Sequence, residues 1–231
     1  SEQQMVARDG QELATVVDFE MKAHRRARLA AAETWLRRGT VDRGAIETAR
    51  KECELFLSEF PTHRDVPGAR LLLGRLQRLA GESAKAAETL DSLYREGSGG
   101  APGYAPESAF QAGLAAGEAY LAIPDAAKSR ELYLGLDGAI GTALARLGDA
   151  DPQRAEFAAI QSEARLGEGF CLLASGSVIQ AKTFFQGQIA GADGNPAKSF
   201  GARLGLGEAL LAEGNARAAQ RNRSSAVTRS P

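Results

Sequence analysis

The segment Ala202-Arg203-Leu204-Gly205-Leu206-Gly207 is the last of five copies of one short pattern, Ala-x-Leu-x-x-small. The other copies occupy residues 27–32, 69–74, 112–117 and 164–169. Successive copies begin 42, 43, 52 and 38 residues apart. A pattern that returns at such intervals is typical of repeat proteins, in which every copy builds the same supersecondary unit.

A turn residue lies seven positions after the last residue of each copy. These five residues are Gly39, Gly81, Pro124, Gly176 and Gly214. Glycine can adopt the left-handed backbone that ends a helix, and proline cannot continue the hydrogen-bond ladder. We therefore predict that a first helix ends near each of these positions.

Apolar residues at helical spacing follow the turns and predict a second helix in each unit. Examples are Ala86, Leu90 and Leu93 after Gly81. Residues 132–147 keep the same spacing and predict an extended second helix in the third unit, although three glycines interrupt it. Alanine is abundant and β-branched runs are scarce, which disfavours strands. The sequence therefore predicts an all-α solenoid of about five helical hairpins.

The chain resembles the tetratricopeptide repeat (TPR) family over residues 27–220. The closing glycines match the glycine of the family's first helix, and Ala86, Ala181 and Phe185 match positions of its second helix. Arginine replaces the family's tryptophan in four copies. The stretch Phe60-Pro61-Thr62-His63, followed by Leu71, is similar to bacterial cell-envelope members. The resemblance implies a TPR-like α-solenoid that binds other proteins.

Three segments follow from these patterns. Residues 1–26 carry an apolar stripe and are predicted as an N-terminal capping helix, with a partner-binding or membrane-surface helix as the alternative. Residues 27–220 form the predicted solenoid. Residues 221–231 are polar and are predicted as a C-terminal tail.

Composition excludes several classes of function. The 231 residues carry a formal net charge of −1, which gives no field that would attract nucleic acid. No apolar run has the roughly 18 residues that a transmembrane helix needs. The two histidines lack neighbours at ligand spacing, and no nucleophile motif is present. We expect no metal, cofactor, small-molecule substrate or enzymatic activity.

Cys53 and Cys171 both lie in helical patterns. Two cysteines cannot form a disulfide framework, but they leave open either one bridge or two buried free thiols. The chain begins with Ser1, and a targeting segment removed before this residue is one interpretation of that start. A periplasmic or envelope-associated location is therefore the favoured expectation, and a cytoplasmic location is the alternative.

Two recurring positions are candidates for partner binding. One is the arginine that precedes the repeated leucine, at Arg70, Arg165 and Arg203. These arginines either pair with nearby glutamates or face an acidic partner.

The other position is the leucine itself. By resemblance it lines a concave groove, and the candidates with their flanking residues are Leu71, Arg75, Leu114, Leu166, Phe170 and Leu204. Alternatively, the leucines pack between the helices of each hairpin. Because leucine occupies this position in every copy, the carboxylate clamp of chaperone-binding relatives is not expected.

The function expected from these observations is a non-catalytic scaffold for a protein partner, in a bacterial envelope-associated complex. A permanent structural subunit of a larger assembly is the alternative. Exposed apolar patches on the extended helix at residues 132–147 would favour that alternative.

Overall fold

The computed structural model describes residue 30, residues 43–100 and residues 103–227. The described residues form eight helices and no strand. The helices are α1 (Arg43–Glu59), α2 (Val66–Leu79), α3 (Ser83–Ser98), α4 (Pro106–Ala122), α5 (Ala126–Arg146), α6 (Gln153–Ala174), α7 (Val178–Ala190) and α8 (Pro196–Val227). The all-α prediction is confirmed. The capping helix predicted at 1–26 and the turn at Gly39 lie outside the described residues.

The chain divides into two compact units, Ser1–Ser108 and Ala109–Pro231. In the first unit α2 packs against both α1 and α3. One core cluster of this unit consists of Ile46, Ala49, Cys53, Phe56, Phe60, Ala69 and Leu76. In the second unit α5 packs against α6, and α7 packs against α8. Burial of the apolar face of each helix on its neighbours supplies most of the stability of such an array.

Glycine turns end the first helices where the pattern predicts them. Gly81 follows α2 with φ +84, and Gly176 follows α6 with φ +78. At Gly176 the amide nitrogen donates to the carbonyl oxygen of Leu173 at 2.9 Å, which satisfies a carbonyl at the helix end. Pro124 lies in the short connection between α4 and α5. These three turns confirm the hairpin pattern.

In the three complete hairpins, the closing glycine of the first helix lies directly against the second helix. A Cβ atom added to Gly74 would lie 2.4 Å from Leu90 Cγ. The corresponding distance from Gly117 to Tyr133 Cε1 is 2.5 Å, and from Gly169 to Phe185 Cε1 it is 2.5 Å. Real Cβ atoms do not approach so closely, so only glycine allows these helices to pack at this separation.

The extended second helix of the third repeat is confirmed, because α5 runs unbroken for 21 residues. Its residues Leu132, Leu136 and Ile140 are buried. The polar side chain of Ser129 is also buried, where it donates to the carbonyl oxygen of Gly117 at 2.8 Å and accepts from Cys171 Sγ at 3.3 Å. The apolar stripe of α5 therefore belongs to the core of its own unit.

The prediction of a turn at Gly214 is wrong. Helix α8 continues through Gly214 to Val227, so no separate second helix follows Gly214. The described residues contain three complete hairpins, α2/α3, α4/α5 and α6/α7. Glycine allows a helix to end but does not require it. Within the described residues, no helix follows α8 that could pack back on it and stabilise a turn.

Cys53 and Cys171 are buried thiols that are not joined by a disulfide, as the second of the two alternatives predicted. The thiol of Cys53 donates to the carbonyl oxygen of Ala69 at 3.2 Å. Burial raises the pKa of the Cys171 thiol, so this side chain is held in its neutral form.

Candidate functional site

Arg70 belongs to a polar cluster inside the first unit. Its guanidinium donates to both carboxylate oxygens of Glu96, at 2.6 and 3.0 Å, and to the hydroxyl of Ser92. Tyr104 accepts a hydrogen bond from Arg70 and donates one to Glu96. The hydrogen bond from Arg70, followed by those from Tyr104 and Ser92, lowers the pKa of Glu96 from 4.5 to about 2. Arg70 therefore connects α2, α3 and the loop that follows α3.

The other two candidate arginines have different surroundings. Arg165 Nε lies 2.8 Å from Asp137 Oδ1, which joins α6 to α5. Arg203 is exposed, and its Nε donates to the hydroxyl of Ser199 at 3.0 Å. Within the described residues this is the one hydrogen bond of the Arg203 side chain, and no carboxylate pairs with it. The three arginines thus occupy equivalent sequence positions but not equivalent environments. Arg75 is half-buried on α2.

The repeated leucines also differ in exposure. Leu71 is buried, while Leu114 and Leu166 are half-buried. Leu166 packs on α8, since a Cβ on Gly201 would lie 2.6 Å from its Cδ1. Phe170 is half-buried and packs against Phe185 with ring centroids 5.3 Å apart and the ring planes tilted by 59°. Leu204 is 55% exposed. Of the predicted leucines, Leu204 presents the most surface to a partner.

Leu204 lies on an exposed apolar face of α8, which we call the α8 outer face and define by Phe200, Leu204, Gly207 and Leu211. Phe200 is 70% exposed and Leu211 is 69% exposed. The spacings of four, three and four residues place the four positions on one side of a helix. The opposite side carries Ala202, Gly205 and Ala209, which are buried. Apolar residues therefore cover both sides of α8.

Sequence reasoning found Leu204 but missed Phe200, Leu210 and Leu211. The sequence did contain a signal for these residues. Ala202 and Ala209 already form a buried side of α8, so large apolar residues on its other side are not needed for packing within the chain. Leu210 occupies the position that Leu172 occupies in the preceding repeat. Leu172 is buried with Ala181 and Phe185 of α7, whereas Leu210 is 49% exposed.

A cleft of about 630 Å³ lies between the first half of α6, the end of α7 and the start of α8. Most of its lining consists of small residues, including Ala155, Ala159 and Gly187. Arg165 and Lys198 contribute positive charge to it.

The described residues hold no group of three His, Cys, Asp or Glu side chains arranged to bind a metal. Among the helices of the described ranges, none is at once long and apolar enough to cross a membrane.

The chain is similar in structure to crystal structures of a kinesin light chain protein from Podosopora anserina with nearly identical TPR-like repeats. One of them matches with a TM-score of 0.62 and 17% identity, over 90% of this chain and 99% of that chain. A point variant of the same protein matches with a TM-score of 0.62 and 17% identity, over 87% and 93% of the two chains. The sequence matches no protein-family model and no curated protein. At this identity the likeness establishes the fold, and the chain has the TPR-like α-solenoid fold that the sequence predicts.

Proposed function

We propose that this chain is a non-catalytic scaffold that binds a protein partner, and that the α8 outer face takes part in this binding. The observation that carries the proposal is the exposure of Phe200, Leu204 and Leu211 on one side of one helix. A contiguous group of large apolar side chains at the surface is typical of an interaction site. Burying one leucine on a partner contributes about 1.5–3 kcal/mol.

The TPR-like fold supports the same proposal, because helical repeat proteins use extended surfaces to hold other proteins. The setting that we propose is a bacterial envelope-associated complex. What supports this setting is the similarity of residues 60–71 to bacterial cell-envelope members of the TPR family.

The alternative of a permanent structural subunit has less support. Exposed apolar patches on residues 132–147 would have favoured this alternative. Leu132, Leu136 and Ile140 of that segment are instead buried in their own unit. Leu134 is exposed there by 48%, and a single exposed leucine is ordinary on a protein surface.

Leucine-to-serine variants test the proposal, with chemical crosslinking and recovery of the partner from the native organism. We expect Leu204→Ser and Leu211→Ser to reduce recovery of the crosslinked partner at least fivefold with little change in Tm. Leu71→Ser is the matched control, because Leu71 is buried and its loss lowers the Tm by several degrees. Unchanged recovery with both surface variants would exclude the α8 outer face, and no partner for the parent protein would exclude the scaffold function.

A further inference from the structure

Each complete hairpin follows one packing rule. The closing glycine of the first helix contacts a large side chain that lies 16 residues later, on the second helix of the same hairpin. The pairs are Gly74 with Leu90, Gly117 with Tyr133, and Gly169 with Phe185. The glycine thus forms a socket into which the second helix inserts a leucine, tyrosine or phenylalanine.

The same aromatic residues also contact the next first helix. A Cβ on Gly167 would lie 2.4 Å from Tyr133, and one on Gly205 would lie 2.3 Å from Phe185. Helix α6 therefore receives two side chains, Tyr133 from the preceding hairpin at Gly167 and Phe185 from its own hairpin at Gly169. Among the described residues, helix α8 receives only the side chain from the preceding hairpin, Phe185, which lies against Gly205.

The second socket of α8, at Gly207, is open. A Cβ added to Gly207 would meet no atom within 4 Å among the described residues. The large residues around it, Phe200, Leu204 and Leu211, are exposed by more than half. At the other closing glycines, Gly74, Gly117 and Gly169, a side chain from the second helix of the hairpin occupies this space.

The chain's own sequence does not suit this socket. The residue 16 positions after Gly207 is Arg223, where the complete hairpins have Leu90, Tyr133 and Phe185. A buried guanidinium without a partner would cost more free energy than the contact contributes. This explains physically why α8 continues through Gly214 instead of turning back.

The charge of Arg203 indicates a second property of any helix that would fill the socket at Gly207. In the first unit Arg70 lies four residues before the closing glycine and pairs with Glu96, six residues after the inserted Leu90. Arg203 holds the equivalent position on α8, and no carboxylate pairs with it within the described residues. The chain's own residue at the position equivalent to Glu96 is Arg229, which would repel Arg203.

We propose that the open socket at Gly207 binds an amphipathic helix of a partner protein, oriented antiparallel to α8. This helix presents a leucine, tyrosine or phenylalanine to Gly207 and, six residues further along, a carboxylate to Arg203. The proposal rests on the scaffold function and gives the partner a sequence signature. The contact resembles the one that α3 makes with α2 inside this protein.

A synthetic peptide with the sequence of residues 82–99 is the probe, since it contains both Leu90 and Glu96. Fluorescence anisotropy measures its binding to the full chain. We expect saturable binding that Leu90→Ser in the peptide weakens by about tenfold or more, because that change removes a buried leucine. We expect Gly207→Leu in the protein to weaken it equally and to leave the Tm unchanged or slightly higher.

Gly138→Leu is the matched control, because Gly138 is another exposed helical glycine with open space around it, on α5. It should leave the peptide affinity unchanged. Arg203→Gln and the peptide variant Glu96→Gln should each weaken binding by about fivefold, and by no more when combined, since they remove the same ion pair.

Four results would overturn the inference. One is the absence of saturable peptide binding, and another is binding that Gly207→Leu does not change. The third is a dimer in sedimentation that Gly207→Leu converts to a monomer, because the socket would then hold a second copy. Undiminished crosslinking of the native partner by Gly207→Leu would count against the socket while leaving the scaffold function intact.

Discussion

Individual glycines in this chain have opposite roles although they occupy the same position of the repeat. Gly74 lies against Leu90, whereas nothing described lies near Gly207. The sequence predicted a helix contact at both residues. It could not predict the difference, because the contact depends on a second helix that comes from elsewhere in the chain.

A pair of leucine substitutions measures this difference. Gly74→Leu should destabilise the protein by about 1–3 kcal/mol, since the new side chain overpacks the α2–α3 contact. Gly207→Leu should be neutral or should stabilise α8 by up to about 1 kcal/mol, since leucine is the better helix former. Urea unfolding of the two variants gives both values. Equal destabilisation by both would show that Gly207 is covered in the folded protein.

The Glu96 carboxylate gives the protein a pH dependence at acidic pH. Its pKa is about 2 in the folded protein and 4.5 in the reference state. Its stabilisation is therefore fully present above pH 4.5 and is lost as the pH falls towards 2. The side chain is 39% exposed, so solvent screening reduces the effect to about 1 kcal/mol.

Thermal unfolding between pH 2 and 6 checks this expectation. The Tm of the parent should fall more steeply below pH 4.5 than the Tm of Glu96→Gln, which has no carboxylate to protonate. Parallel curves for the two proteins would show that the pair with Arg70 contributes nothing measurable.

At the scale of helices, α5 is held in place by one residue that serves two neighbours. Tyr133 contacts Gly117 on α4 and Gly167 on α6. We expect Tyr133→Ala to destabilise the second unit by about 3–5 kcal/mol, because it leaves a cavity between three helices. Denaturant unfolding measures the loss. Leu134→Ala, on the exposed side of the same helix, is the control and should change stability by less than about 1 kcal/mol.

The helices themselves were largely predictable from the sequence, since apolar spacing and the turns at Gly81 and Gly176 are local signals. The end of α8 was not predictable from the sequence. Gly214 has the same spacing as Gly176, but a helix end also needs the following segment to pack. Arg223 distinguishes the last repeat, because it stands where the complete hairpins have Leu90, Tyr133 and Phe185.

The whole molecule consists of two units that each have their own core. Because each repeat interacts only with its neighbours, substitutions at distant sites in different units should act independently. We expect the destabilisation by Leu90→Ala plus Phe185→Ala to equal the sum of the single variants within about 0.5 kcal/mol. Urea unfolding of the single and double variants measures it. A larger departure from additivity would mean that the two cores are coupled.

The sequence by itself determined the all-α class, the hairpin repeat and the positions of the glycine contacts in the complete hairpins. These features follow from helix periodicity and backbone preference, which act over a few residues. Only the tertiary structure decided which copies of a repeated residue are buried, paired or exposed. Leu71 and Leu204, or Arg70 and Arg203, are equivalent in sequence, but their burial and pairing depend on whether another helix lies against them.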